Sequence, residues 1–187
     1  IAIIGGGVAG LLAAVTAADA GAKVSLFEKM PKVGLKMGIT GKGRCNLTNS
    51  APIMDFIGKT PGNGKFLYSA YEAFSNEDLL DLLHSYGLVT KVERGGRVFP
   101  ASDDAQEVRH LFMKLLRDKK VDLHLEEPVS HIVVIDGEAK GVVTAKGRYD
   151  TNAVILCTGG ASYPRTGSTG DGYRMAKEVG HKVTTIR

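Results

Sequence analysis

The sequence predicts an α/β fold, a central parallel sheet flanked by helices and extended by an antiparallel meander. Three observations carry that prediction. An apolar run at residues 1–4 leads directly into a glycine turn and then an Ala- and Leu-rich stretch. A later segment, "VSHIVVIDGEAKGVVTAKGRYD", holds two or three short strands separated by turns at Asp136-Gly137 and Lys146-Gly147. A second apolar run, at 153–157, ends in Thr158-Gly159-Gly160. Parallel strands covered on both faces read as continuous apolar runs, whereas antiparallel strands are joined by tight turns of this composition.

Ile1, Ile3 and Ile4 make the first strand, and residues 8–20 a helix with no internal breaker. Gly21 closes that helix in the left-handed conformation, and "KVSLF" follows as the second parallel strand. In the turn between strand and helix stands Gly5-x-Gly7-x-x-Gly10. The first glycine allows the tight bend, the second a close backbone approach to a pyrophosphate, the third the packing of helix on strand. Val8, Ala9 and Gly10 bring the N–H groups of the first helical turn, which have no partner inside the helix. Glu28 ends the second strand, where a carboxylate accepts hydrogen bonds from an adenosine ribose, and Lys29 joins it in the candidate set. An acid there repels a 2′-phosphate, which selects NAD or FAD over NADP. The segment is a Rossmann-like dinucleotide-binding unit.

An α+β excursion is expected at about 51–120. It comprises a helix over 65–74, a helix started by Ser75 and closed by Gly87, and a hairpin turning at Gly95-Gly96 and stopped by Pro100. A further helix, capped near Asp103-Asp104, carries Val108, Leu111, Phe112, Leu115 and Leu116 at helical spacing. "VDLHLEE" returns the chain to the parallel sheet. A plain NAD dehydrogenase would continue with further βαβ units, so the excursion favours a flavoprotein. The whole of 1–187 is expected to be one domain. "HKVTTIR" reads as a strand beginning, and Ile1 is not an initiator Met, so a longer chain is expected.

The 187 residues are 43% hydrophobic, enough for a core, and the net charge of +4 is small and dispersed, so no nucleic-acid partner is expected. Cys45 and Cys157 lie far apart, and neither a signal peptide nor a long apolar span is present, which fits a reducing cytoplasm and no membrane. The five histidines show no metal-ligand spacing, and no hydrolytic triad can be assigned. A Walker loop at Gly41-Lys42 is excluded, because the pattern needs glycine where Lys36 stands and Ser or Thr where Gly43 stands.

At "GITGKGRCNLTNS" and "CTGGASYPRTGSTGDGYRMAKEVGH" the sequence resembles the bacterial NAD(P)/FAD-dependent oxidoreductase family of aminoacetone oxidase and BaiN-like bile-acid reductases, across residues 1–181. More distantly, 158–172 is similar to the flavin loop of fumarate-reductase-type flavoproteins. The resemblance implies FAD as cofactor, NAD(P)H as one candidate reductant, a small-molecule substrate, and a longer chain with an inserted substrate domain and a C-terminal return. It implies that Gly38, Gly41 and Gly43 let the backbone lie against the cofactor while Lys36, Lys42 and Arg44 offset its negative charge. Cys45 is then either a thiol activated by Arg44 or a small side chain packed under the ring, and Asn46 either bonds the flavin or caps the following turn.

Thr158, Gly159 and Gly160 leave the sheet at its carboxyl end, where ligands of open α/β sheets bind. Asp171 either caps the helix after it or joins Gly170 in a flavin contact; Tyr163, Arg165 and Ser168 face flavin or substrate; and the resemblance alone implies that Val129 offers its backbone to adenine. The implied activity is hydride transfer from a small organic substrate or NAD(P)H to flavin N5, with electrons passing on to an organic acceptor or dioxygen. An NAD-only dehydrogenase, a non-catalytic flavin-binding module and a tRNA-modifying flavoenzyme are the alternatives. No catalytic acid or base is identified, and Cys45 is the one catalytic candidate.

Overall fold

The computed structural model describes residues 1–185. It divides into two compact units, Ile1–Met37 together with the chain from Phe112 onward, and Gly38–Leu111. The first unit opens with β1 (Ala2–Ile4), α1 (Val8–Asp19) and β2 (Ser25–Phe27). All three residues of β1 are buried, and α1 turns Leu11, Ala14 and Val15 inward, packing on β1 and β2. This is the predicted βαβ unit, with the helix one residue shorter than expected and the second strand confined to its most apolar part.

The second unit contains β3 (Thr48–Asn49), α2 (Ile53–Lys59), α3 (Tyr68–Ala73), α4 (Asn76–Ser85), β4 (Thr90–Glu93) and β5 (Arg97–Pro100). The single helix expected over 65–74 is instead a 3-10 turn, Gly64–Leu67, running into the short α3. Ser75 starts α4 through a reciprocal capping box: its N–H donates to the Asp78 carboxylate at 2.7 Å, and the Asp78 N–H donates to Ser75 Oγ at 3.1 Å. The β4–β5 hairpin forms as predicted, with β3 added antiparallel beyond β5, Thr48 opposite Val98. Val98, Phe99 and Pro100 of β5 are all buried.

Helix α5 (Ala105–Asp118) leads out of this unit, started by Asp104, whose carboxylate accepts the Gln106 N–H at 2.8 Å. Its buried stripe is Val108, Phe112, Leu115 and Leu116, with Leu111 half-buried. Back in the first unit follow β6 (Asp122–His124), the meander β7 (Val129–Ile135), β8 (Glu138–Thr144) and β9 (Gly147–Asp150), then β10 (Val154–Leu156) and α6 (Asp171–Glu178). The parallel sheet has the order β10-β1-β2-β6, with Ile3 opposite both Leu26 and Ile155. Ala2, Ile4, Phe27, Val129, Val142 and Met175 form one buried cluster joining sheet, meander and α6.

Because β1 lies between β2 and β10, the turns leaving these three strands emerge at one sheet edge, the place where such sheets take ligands. The strand expected at the C-terminus is not formed over 181–185, and Ile186 and Arg187 lie outside the described residues. Among the described residues, no helix is long and apolar enough to cross a membrane.

Candidate functional site

The glycine fingerprint sits at the carboxyl end of β1. Gly5 has φ +106° and donates its N–H to the Phe27 carbonyl at 2.8 Å; a Cβ there would run into the Cys157 carbonyl oxygen. A Cβ on Gly10 would strike the Gly5 carbonyl oxygen, so α1 approaches its own entry turn as only glycine allows. Gly7 differs: among the described residues, a Cβ added there meets nothing within 4 Å, and no side chain caps the helix. Val8 and Ala9 are exposed at the start of α1, whose first-turn N–H groups have no acceptor within the helix.

Glu28, 9% exposed, closes this turn from β2. Its Oε2 accepts the Gly6 N–H at 2.7 Å and its Oε1 the Met30 N–H at 2.8 Å. Each carboxylate oxygen keeps lone-pair capacity for a further donor. The Lys29 ammonium donates to Thr169 Oγ1 and Asp171 Oδ2, each at 2.5 Å. That hydrogen bond from Lys29 holds the Asp171 carboxyl below the usual carboxylate range.

Asp171 does not cap α6 by its side chain. It is the first helical residue, preceded by Gly170 as N-cap, and its carboxylate is directed to Lys29 and the Thr169 hydroxyl. Lys36 reaches the same glycine-rich loop, donating to the Ser162 carbonyl at 3.2 Å and its hydroxyl at 3.0 Å, with the Tyr163 ring centroid 5.3 Å away. Within the loop the Gly170 N–H donates to the Gly160 carbonyl at 3.1 Å, and a Cβ on Gly172 would meet Thr158 Oγ1. Gly159 has φ +71°, and Ser168 is buried beside it. Val129 opens β7 opposite Thr144. The structure therefore gathers Gly5, Gly7, Val8, Ala9, Gly10, Glu28, Lys29, Lys36, Val129, Thr158, Gly159, Gly160, Gly170 and Asp171 in the first unit.

Gly41, Gly43, Arg44, Cys45 and Asn46 belong to the second unit. Their loop runs through the left-handed region, at no cost at Gly41 (φ +57°) and Gly43 (+91°) but with strain at Lys42 (+62°) and Cys45 (+65°). Arg44 pins it, donating to the Gly41 carbonyl at 3.2 Å, to Glu93 at 2.7 Å and to Asp103 at 3.3 Å, with its guanidinium 4.1 Å from the Phe99 ring centroid. Cys45 is 2% exposed, and burial pushes its thiol up to about 11 against a smaller opposing effect of Thr40. Of the two readings of Cys45, this geometry favours packing: burial disfavours the thiolate, and Arg44 is engaged with carboxylates. The Asn46 backbone N–H donates to Thr40 Oγ1 at 3.1 Å, closing the turn that precedes it.

Sequence reasoning missed Glu127, which is 2% exposed and accepts hydrogen bonds from Thr144 at 2.8 Å, Tyr149 at 2.7 Å and Lys146 at 2.7 Å. Burial alone would raise its carboxyl, but the bonds from Lys146, Tyr149 and Thr144 outweigh that and hold it at about 2. In "HLEEPVS" it looks like one of two solvated acids; only the strand pairing of the meander brings its partners over it. Among the described residues, no three His, Cys, Asp or Glu side chains could hold a metal ion.

A parallel sheet that gathers a glycine fingerprint, a strand-end glutamate and a glycine-rich loop leading into a helix defines a dinucleotide-binding α/β protein. The chain belongs to the HI0933-like protein Rossmann domain family, an FAD-binding family that matches residues 1–186. It is 38% identical to the 3-dehydro-bile acid delta(4,6)-reductase of Clostridium scindens over 100% of this chain and 45% of that protein. It is 29% identical to the ribosomal RNA dihydrouridine synthase of Escherichia coli over 99% of this chain and 45% of that protein. The chain thus spans about half the length of the curated relatives it matches. Among solved structures, the open conformation of a flavocytochrome c3 fumarate reductase superposes with a TM-score of 0.67 at 25% identity, covering 97% of this chain and 40% of that one.

Proposed function

We propose that the first unit holds FAD and that the protein is an FAD-dependent oxidoreductase acting on a small organic molecule. The observation that carries the reading is the contrast at the fingerprint: protein fills the space over Gly5 and Gly10, while nothing fills it over Gly7 at the uncapped start of α1. In that reading the N–H groups of Gly7, Val8, Ala9 and Gly10 hold the pyrophosphate. Glu28 accepts the ribose hydroxyls on lone pairs not taken by Gly6 and Met30. Val129 offers backbone groups to adenine, and Thr158, Gly159, Gly160 and Gly170 line the far side. Lys29 and Lys36 hold the 158–171 loop against the segment after β2, which keeps that loop ordered beside the cofactor.

FAD, when bound, supplies a ring that accepts a hydride and returns the electron pair to a second substrate. NAD(P)H is the proposed reductant and an organic acceptor the proposed oxidant, in keeping with the reductase named among the relatives. Two unpaired cysteines fit placement in the cytoplasm. The test is the visible absorbance of the purified full-length protein, with the released cofactor identified by mass spectrometry. A two-band flavin spectrum with FAD released is expected; a colourless protein retaining NAD would overturn the reading.

A second reading, a flavoenzyme that acts on RNA, is favoured by the ribosomal RNA dihydrouridine synthases of Escherichia coli and Haemophilus influenzae, at 29% and 27% identity. Salt-sensitive binding of ribosomal RNA by the full-length protein would promote it over the first.

A further inference from the structure

We propose that Glu127 is a positioning residue for the adenosine end of the cofactor site, setting the spacing between Glu28 and Val129. The inference rests on the FAD reading above and adds to it a residue that touches no cofactor.

The argument starts from the backbone. The Glu127 N–H donates to the Glu28 carbonyl at 3.0 Å, and the Glu28 N–H donates to the His124 carbonyl at 2.8 Å, so both main-chain groups of Glu28 are fixed by the 124–127 segment. Two residues after Glu127, Val129 begins β7 opposite Thr144, and the Thr144 hydroxyl is one of the donors to Glu127. One side chain thus links the strand end that carries Glu28 to the strand start that carries Val129.

Its partners come from every element around it. Oε1 takes Thr144 of β8 and Tyr149 of β9; Oε2 takes Lys146 of the turn between them and lies 3.4 Å from His124 Nδ1 of β6. The rings beneath are locked as well. Phe27 stacks on His124 at 4.5 Å and 9°, and Tyr149 meets both edge-on, at 4.9 and 5.0 Å. A buried carboxylate is a poor choice for stability alone, since its desolvation offsets much of what the pairing returns. What it provides is direction: three donors, with the His124 ring beside them, define where the chain between β6 and β7 runs.

The experiment compares FAD and FMN affinity of the full-length protein and its Glu28→Gln, Glu127→Gln and double variants, because FMN lacks the adenosine half. Thr144→Val, which removes one donor and keeps the shape, stands in should Glu127→Gln not fold. Glu127→Gln is expected to weaken FAD about tenfold, the effect of about one lost hydrogen-bonded contact, with FMN unchanged. In the Glu28→Gln background that loss is expected to shrink, as two residues acting through one contact are not additive. Equal losses of FAD and FMN, unchanged FAD affinity, or additive effects would overturn the inference and leave Glu127 a clamp for the meander. A Glu28→Gln protein that binds FAD as the parent does would overturn the ribose assignment itself.

Discussion

Gly10 stands so close to the carbonyl oxygen of Gly5 that no methyl group fits between helix and turn, while a methyl on Gly7 meets nothing within 4 Å. Two glycines of one motif are therefore required for different reasons. Gly10→Ala is expected to force the turn open at a cost of about 1–3 kcal/mol, seen as a lower thermal midpoint. Gly7→Ala is expected to melt with the parent protein and lose FAD affinity, because its φ of −76° suits alanine and only a ligand contests the space. Thermal melts with FAD titrations separate the two, and a Gly7→Ala protein that binds FAD normally would remove the pyrophosphate from that position.

The Lys29–Asp171 pair joins positions 142 apart in the sequence, but its side chains are 25% and 37% exposed, so screening by water and salt limits its worth to under about 1 kcal/mol. Lys29→Met should barely move the thermal midpoint. Its effect should be local, with faster proteolytic cutting at Arg165 in the loop that the lysine tethers through Thr169 and Asp171. A large fall in global stability with no change in cutting would show that the pair supports the fold rather than the loop.

Cys45 offers a chemical test of its packing. With the thiol pushed up to about 11 by burial, only about one part in a thousand is thiolate at pH 8, so reaction with a disulfide reagent should be slow in the native protein and complete in denaturant. Cys157, also raised by burial, should behave similarly. Reaction of Cys45 within seconds at neutral pH would restore the redox reading.

The parts legible in the sequence are those written in local chemistry. The βαβ unit declares itself through its glycines and Glu28, α4 through Ser75 and Asp78, and the hairpins through Gly95-Gly96 and Asp136-Gly137. What was missed depends on distant partners. Two residues, Thr48 and Asn49, become a strand only because β5 presents a free edge to them. Asp171 looks like a helix cap in sequence, yet Lys29 draws its carboxylate away, and Gly170 takes the capping position. Arg44, which the resemblance places against cofactor charge, also pairs with Glu93 and Asp103, 49 and 59 residues away, and local sequence does not announce those pairs.

Acid should reach the first unit through Glu127. Its carboxyl sits at about 2 in the fold against an ordinary 4.5, because the bonds from Lys146, Tyr149 and Thr144 outweigh the burial that opposes them. A depressed folded value means that its contribution is fully present above about 4.5 and drains away as the pH falls toward 2, when unfolding lets the group take up a proton. Asp78, Asp103, Asp171 and Glu178 are lowered too, so the parent protein alone cannot report on Glu127. The difference between the parent and Glu127→Gln can, since the other four groups are common to both. Urea midpoints measured from pH 7 down to pH 2.5 should show the parent ahead at neutral pH and the gap closing below about 4.5; a gap that stays constant across that range would mean that Glu127 titrates alike in the folded and unfolded chains.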